Sequence, residues 1–165
     1  VTRLLCCIFG HATTTVTTCL PDAVPVQRRR NVVIDGIEQP LGIWALQWQS
    51  ALMNFEIFKL VVEEVLGYNT TETGRSPVVV SGLWAIAGCR EVVSLEREAL
   101  EKCELHPDFA TSNSHVTLET WDFYLPATLE IMRDRHIDRM PVKLGNLGFQ
   151  GVSANWVPKE AWTAA

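Results

Sequence analysis

The run Leu41-Gly-Ile-Trp-Ala-Leu-Gln47 constrains the fold more than any other stretch. It is nearly continuous in apolar residues and has the length of a strand. A strand with no polar face must be covered on both sides, which is the condition of a parallel sheet between helices. A helix is expected to follow at once. Ser50 is placed to cap it by accepting a hydrogen bond from an early amide. Leu52, Phe55, Phe58, Val61, Val62, Val65 and Leu66 recur at spacings of three and four, and Gly67 ends the helix as the left-handed residue beyond its last turn. Strand, tight turn and helix make the first half of a βαβ unit, with the first helix amides facing the turn as an anion site.

A second strand is expected from His115 to Pro126, His-Val-Thr-Leu-Glu-Thr-Trp-Asp-Phe-Tyr-Leu-Pro. His115, Thr117 and Glu119 alternate with Val116, Leu118 and Thr120, a period of two. The run then ends on Trp121, Phe123 and Tyr124, and open α/β sheets hold their ligands at the carboxyl ends of strands. The remaining segments fit around these two. Asn31 to Ile34 is a short β-rich run before an Asp35-Gly36 turn, Tyr68 to Thr71 a short strand, and Thr73-Gly-Arg-Ser-Pro77 a loop. A helix is expected from Pro77 or Ser81 to Gly88, and another from Pro126 to Arg135. Between them Glu91 to Leu105 reads as a charged amphipathic helix or loop, and Asp108 to Ser114 as a polar turn. Lys143 to Val157, with Gly145, Gly148 and Gly151, is a glycine-rich approach to a further strand.

Charge narrows the partners. Of 14 basic and 19 acidic residues, the first 30 positions hold four basic ones (Arg3, Arg28, Arg29, Arg30) and one acidic one (Asp22), so the remainder is strongly acidic. Nucleic acid needs a basic footprint, which this chain lacks. An acidic body suits a small cation or zwitterion, the plainer alternative being solubility alone. Hydrophobic residues at 47% and a mean hydropathy of +0.10 are those of a folded domain, and 165 residues suffice for one core.

The beginning of the chain reads differently from the rest. Leu4 to Gly10 is an apolar run behind Arg3, with Thr13 to Thr18 as a polar tail, which is the pattern of a secretory signal or its remains; a fragment boundary is the alternative. The run is shorter than the roughly 20 residues that span a bilayer. Pro21, Pro25 and Arg28 to Arg30 read as a solvated linker or processing site. Of five cysteines, Cys89 and Cys103 belong to the body. A disulfide between them would close a short loop worth about 3 kcal/mol, and two separate buried thiols are the other reading. Asn69-Thr70-Thr71 is a glycosylation sequon, relevant in a eukaryotic secretory setting.

Trp48 and Trp121 end the two best strand candidates. In a parallel sheet both indoles reach one edge, where two electron-rich faces form a cage for a quaternary ammonium ion, each contributing on the order of 0.5–2 kcal/mol once water is excluded. Core or rim tryptophans are the alternative. Trp44, Trp84, Trp156 and Trp162 fall inside apolar runs and read as packing, and Tyr124 is a third candidate wall. Cys103, His106, Asp108 and His115 have no spacing of a metal site, and no nucleophile, base and orienting group fall together.

Leu46-Gln-Trp-Gln-Ser-Ala51, with a helix ending Val65-Leu-Gly-Tyr68, resembles the opening of the substrate-binding domain of glycine betaine/proline ABC transporters. Leu118-Glu-Thr-Trp121 with a proline soon after, and Gly148 to Pro158 with Asn155-Trp-Val-Pro-Lys159, are similar to that family's later signatures. The resemblance spans roughly Leu41 to Trp162. It implies an α/β fold, a type II periplasmic-binding-protein-like lobe with a mostly parallel sheet flanked by helices, whose second lobe lies largely beyond Ala165. Residues 1–30 would be a leader or signal-like segment and linker. Residues 31–165 would be the first lobe and the start of the crossover to the second. It implies that Trp48 and Trp121 bind a quaternary ammonium solute of the glycine betaine, choline or proline betaine class for an ABC permease in the membrane; Ser50 and Tyr124 are the further candidates for that site. The protein would be extracytoplasmic, in the periplasm or at the cell surface, and monomeric. Neither enzymatic activity, a cofactor, a metal nor nucleic-acid binding is implied. The family's histidine for the ligand carboxylate, five residues after the second tryptophan in some members, is Pro126 here, and Arg90 to Asn113 is an apparent insertion. Backbone amides near Ser50, or the second lobe, would then take that carboxylate. A vestigial or surface interaction domain of the same fold is the alternative function.

Overall fold

In a computed structural model, residues 18–34, 36–89, 104, 113–121, 125–135 and 139–148 are described. The apolar run at Leu41 becomes the middle strand of an α/β arrangement. A hairpin of β1 (Val32–Ile34) and β2 (Ile37–Gln39) precedes it, turning at Gly36. β3 (Leu41–Leu46) is followed by α1 (Gln49–Leu60), whose last turns widen into a π-helix over Val61–Val65. Then come β4 (Thr70–Ser76), α2 (Ser81–Ile86), β5 (Val116–Thr117) and α3 (Leu125–Asp134). The sheet order is β4-β3-β5, and β3 runs parallel to both neighbours. Among the described residues no helix is long and apolar enough to cross a membrane.

Alternation along β3 sends its side chains to two different cores, the outcome that a strand without a polar face requires. Ile43 and Ala45 are buried with Phe55 of α1, beside Phe58 and Leu118. Trp44 goes the other way, onto Val78, Val80, Leu83, Trp84, Ala87 and Met132, which come from α2, its flanks and α3. Its indole Nε1 donates to Ser81 Oγ at 2.9 Å. Trp84, inaccessible to solvent, is the largest side chain of this second core, with the Arg135 guanidinium 5.6 Å from its ring centroid. Helices therefore cover both faces of β3, as expected, and Trp44 and Trp84 are packing residues.

Three local expectations are corrected. The Thr73-to-Pro77 segment is not a loop, because β4 runs through to Ser76. Between the pairs Ile43–Glu72 and Trp44–Gly74 the register shifts, leaving Thr73 as a bulge residue. Gly74 is there for contact rather than for a turn: a Cβ on it would lie 2.2 Å from Cζ3 of Trp44. The second correction is to the core-facing stripe of α1. Ala51, Phe55 and Val62 are buried and Phe58 packs beside them, but Val61, Val65 and Leu66 are exposed. Val61 and Val65 continue the exposed row of Met53 and Ile57, and Gly67, at φ +72°, ends the helix where expected. Third, the strand at His115 is two residues long, for a reason given below. The helices at Ser81 and Leu125 match their expected positions, whereas most of Glu91 to Leu105, Trp156 and Trp162 lie outside the described residues.

The segment before β1 is docked on the body. The Glu64 carboxylate, 7% exposed, accepts from the backbone N–H of Cys19 (2.8 Å) and Leu20 (2.7 Å), and Val24 N–H donates to Glu64 O at 2.8 Å. Arg29, expected in a solvated linker, is instead paired with Glu63 at 2.7 Å, its side chain nearly buried, and Glu63 also accepts from Thr70 Oγ1. Arg30 forms a parallel bridge with Tyr68 and lies over that ring, 4.5 Å from its centroid. The Trp84 indole N–H has no hydrogen-bond partner among the described residues. Replacing Trp84 by Ala is therefore expected to cost about 3–5 kcal/mol through the cavity it leaves. Trp84→Phe, which gives up no hydrogen bond, should cost well under half of that, and urea unfolding midpoints decide.

Candidate functional site

β3 and β5 are parallel neighbours, so both chains leave the sheet at one edge. Trp48 stands two residues beyond the end of β3 and Trp121 four beyond that of β5. Trp48 is half-buried and Trp121 is 38% exposed. The edge arrangement expected for these two tryptophans is thus in place at the level of the strands that carry them. Tyr124 lies outside the described residues.

The residue that ties this edge together is Glu119. Its backbone is in the left-handed region, φ +59°, unique among the described non-glycine residues and costing on the order of 1–3 kcal/mol. The turn ends β5 after Thr117 and brings the carboxylate, 7% exposed, to the first turns of α1. There Oε1 accepts from Trp48 Nε1 and from Ser50 Oγ, each at 2.6 Å, and Oε2 accepts from Asn54 Nδ2 at 2.8 Å. Hydrogen bonds to a charged group contribute about 1.5–3 kcal/mol each, enough together to offset the strained backbone. One residue on, Thr120 Oγ1 is buried without a hydrogen-bond partner among the described residues.

Two expectations about the start of α1 change as a result. Ser50 does not cap the helix: the flanking residue is Trp48, no side chain makes the capping bond, and the Ser50 hydroxyl donates to Glu119 instead. The helix end also has an anion of the chain's own as its neighbour, Glu119, held by the side chains of Trp48, Ser50 and Asn54 rather than by the helix amides. Neither Glu119 nor Asn54 was among the candidate site residues. The signal for Asn54 was its spacing, four residues after Ser50 and so on the same helix face, within an otherwise apolar run.

Other candidates fall away from this edge. His115 is at the opposite end of β5, where its Nδ1 accepts from Gly42 N–H at 2.7 Å. Among the described residues no group of three His, Cys, Asp or Glu side chains could hold a metal. Asn69 of the sequon is held between Arg30 and Leu41 by its backbone, and its side-chain nitrogen donates to Asn31 Oδ1 at 2.9 Å. Cys19 and Cys89 are both disulfide-bonded.

Comparison with protein-family models, with curated proteins and with solved structures finds no significant match to this chain. The site is therefore read from its own geometry. A Ser50 that capped α1 could be replaced by Asp without loss, since Asp is as good a cap. A Ser50 that serves Glu119 could not. Ser50→Asp, which sets one carboxylate against another, is expected to lower the unfolding midpoint more than Ser50→Ala, and urea titration of both variants separates the two roles.

Proposed function

We propose that this chain binds a quaternary ammonium compatible solute, of the glycine betaine, choline or proline betaine class, at the edge where Trp48 and Trp121 leave the sheet. The observation that carries the reading is that these two indoles follow the carboxyl ends of adjacent parallel strands, where α/β sheets hold ligands. The Trp48 N–H is engaged at the ring edge by Glu119, so it is the π face that remains for a cation. On this reading the α/β sheet is one lobe of a type II periplasmic-binding-protein-like domain that delivers solute to an ABC permease, without catalysis. The disulfides at Cys19 and Cys89 support an extracytoplasmic location, since such bonds persist in oxidising compartments.

A second reading is an interaction domain of the same fold without a transport role. It is favoured by Met53, Ile57, Val61 and Val65, which recur every four residues along α1 and its π extension and are 40–55% exposed.

Titration calorimetry with glycine betaine, choline and proline betaine tests the first reading. At least one should bind at millimolar concentration or tighter. Trp48→Ala and Trp121→Ala should each weaken that binding by about tenfold, in line with about 1–2 kcal/mol per cation–π face, while Trp84→Phe leaves it intact. No uptake of any of the three would reject the solute-binding reading, and equal losses in all three variants would return both indoles to a packing role.

A further inference from the structure

Glu119 carries a charge that the aromatic reading of the site does not use. Its carboxylate is almost wholly buried, and its three hydrogen-bond donors, Trp48 Nε1, Ser50 Oγ and Asn54 Nδ2, are all neutral. The two ion pairs among the described residues, Arg29–Glu63 and Arg75–Glu72, do not involve it. Neutral dipoles replace only part of the hydration that a buried carboxylate loses; Glu64 is equally buried and is likewise held by neutral donors, and what sets Glu119 apart is its place at the strand ends. Here the carboxylate touches the ring edge of the very tryptophan proposed to receive a cation.

Building on the onium reading above, we infer that Glu119 is the specificity-determining residue of this site, and that it selects a net-cationic onium ion of the choline class over a zwitterionic betaine. Two effects act in the same direction. The negative charge attracts a cation lying on the Trp48 face through a medium of low effective dielectric. Donation of the indole N–H to a full negative charge also pushes electron density onto that face, which strengthens its hold on a cation. A betaine has the same trimethylammonium group but carries its own carboxylate. A ligand carboxylate placed at the first turn of α1 would lie beside Glu119, which is bonded there to the side chains of Trp48 and Ser50. A net positive ligand supplies the missing counter-charge, whereas a zwitterion adds a second negative one.

The test is calorimetric titration of the 165-residue chain with choline and with glycine betaine at matched ionic strength. Choline should bind more tightly. Glu119→Gln keeps an amide oxygen for Trp48 and Ser50 but removes the charge. It is expected to weaken choline by about tenfold more than glycine betaine, a size consistent with one nearby charge at an intermediate dielectric. Equal changes for the two ligands, or none for either, would overturn the assignment. A wild-type preference for glycine betaine would do so without any variant, which keeps the question decidable if Glu119→Gln does not fold. If the wild-type chain takes up neither compound, this assignment falls, and the onium reading falls with it if proline betaine is not bound either. Charge-blind binding of both removes this assignment alone.

Discussion

The burial of β3 on both faces is the constraint from which the rest of the architecture follows. A strand made of Leu, Ile, Trp and Ala has no side to give to water, so each of its faces must be covered. Ile43 and Ala45 take α1 through Phe55, and Trp44 takes α2 and α3 through the core around Trp84. With both faces occupied, its two edges are satisfied by parallel partners, β4 and β5. Parallel pairing then has a functional effect. It makes the exits of β3 and β5 neighbours, so residues more than 70 positions apart in the chain reach one edge of the sheet.

At that edge the stabilising and the functional arguments meet on Glu119. The left-handed backbone there cuts β5 short, a local cost that no packing of apolar groups repays, since the side chain it presents is a carboxylate. What holds the turn is the convergence of Trp48, Ser50 and Asn54 from one face of α1. The same three bonds fix the orientation of the Trp48 indole relative to the end of β5. An aromatic wall whose rotamer is locked in this way loses little freedom when a ligand arrives, which is the physical content of preorganisation.

Much of this architecture was legible in the sequence, and the failures share a cause. The unbroken apolar run at Leu41, the helix ending at Gly67 and the helices at Ser81 and Leu125 are local patterns, and local patterns announced them. The edge position of Trp48 and Trp121 followed once a parallel sheet was assumed. What could not be read was anything decided by a contact distant in sequence. Thr-Gly-Arg-Ser-Pro has the composition of a loop, but Gly74 is selected by the ring of Trp44 pressing on the backbone. Ser50 has the composition of a helix cap, but its hydroxyl answers to a glutamate 69 residues away. Glu119 itself sat in an alternating strand pattern, where a glutamate is unremarked. Its backbone angle, its burial and its three bonds separate it from an ordinary surface residue.

The docking of residues 19 to 30 bears on how the chain is processed. Three consecutive arginines invite proteolysis, but here they lie downstream of a segment that the body needs. Glu64 is buried because Cys19 and Leu20 give it their amides, and Glu63 is partly neutralised by Arg29. Loss of the segment up to Arg29 would take those donors away and leave two adjacent acidic side chains on the π-helical turn without these partners. Removal of a leader is compatible with this fold only if the scissile bond lies upstream of Cys19. The hold on Cys19 thus comes from a carboxylate 45 positions later in the chain.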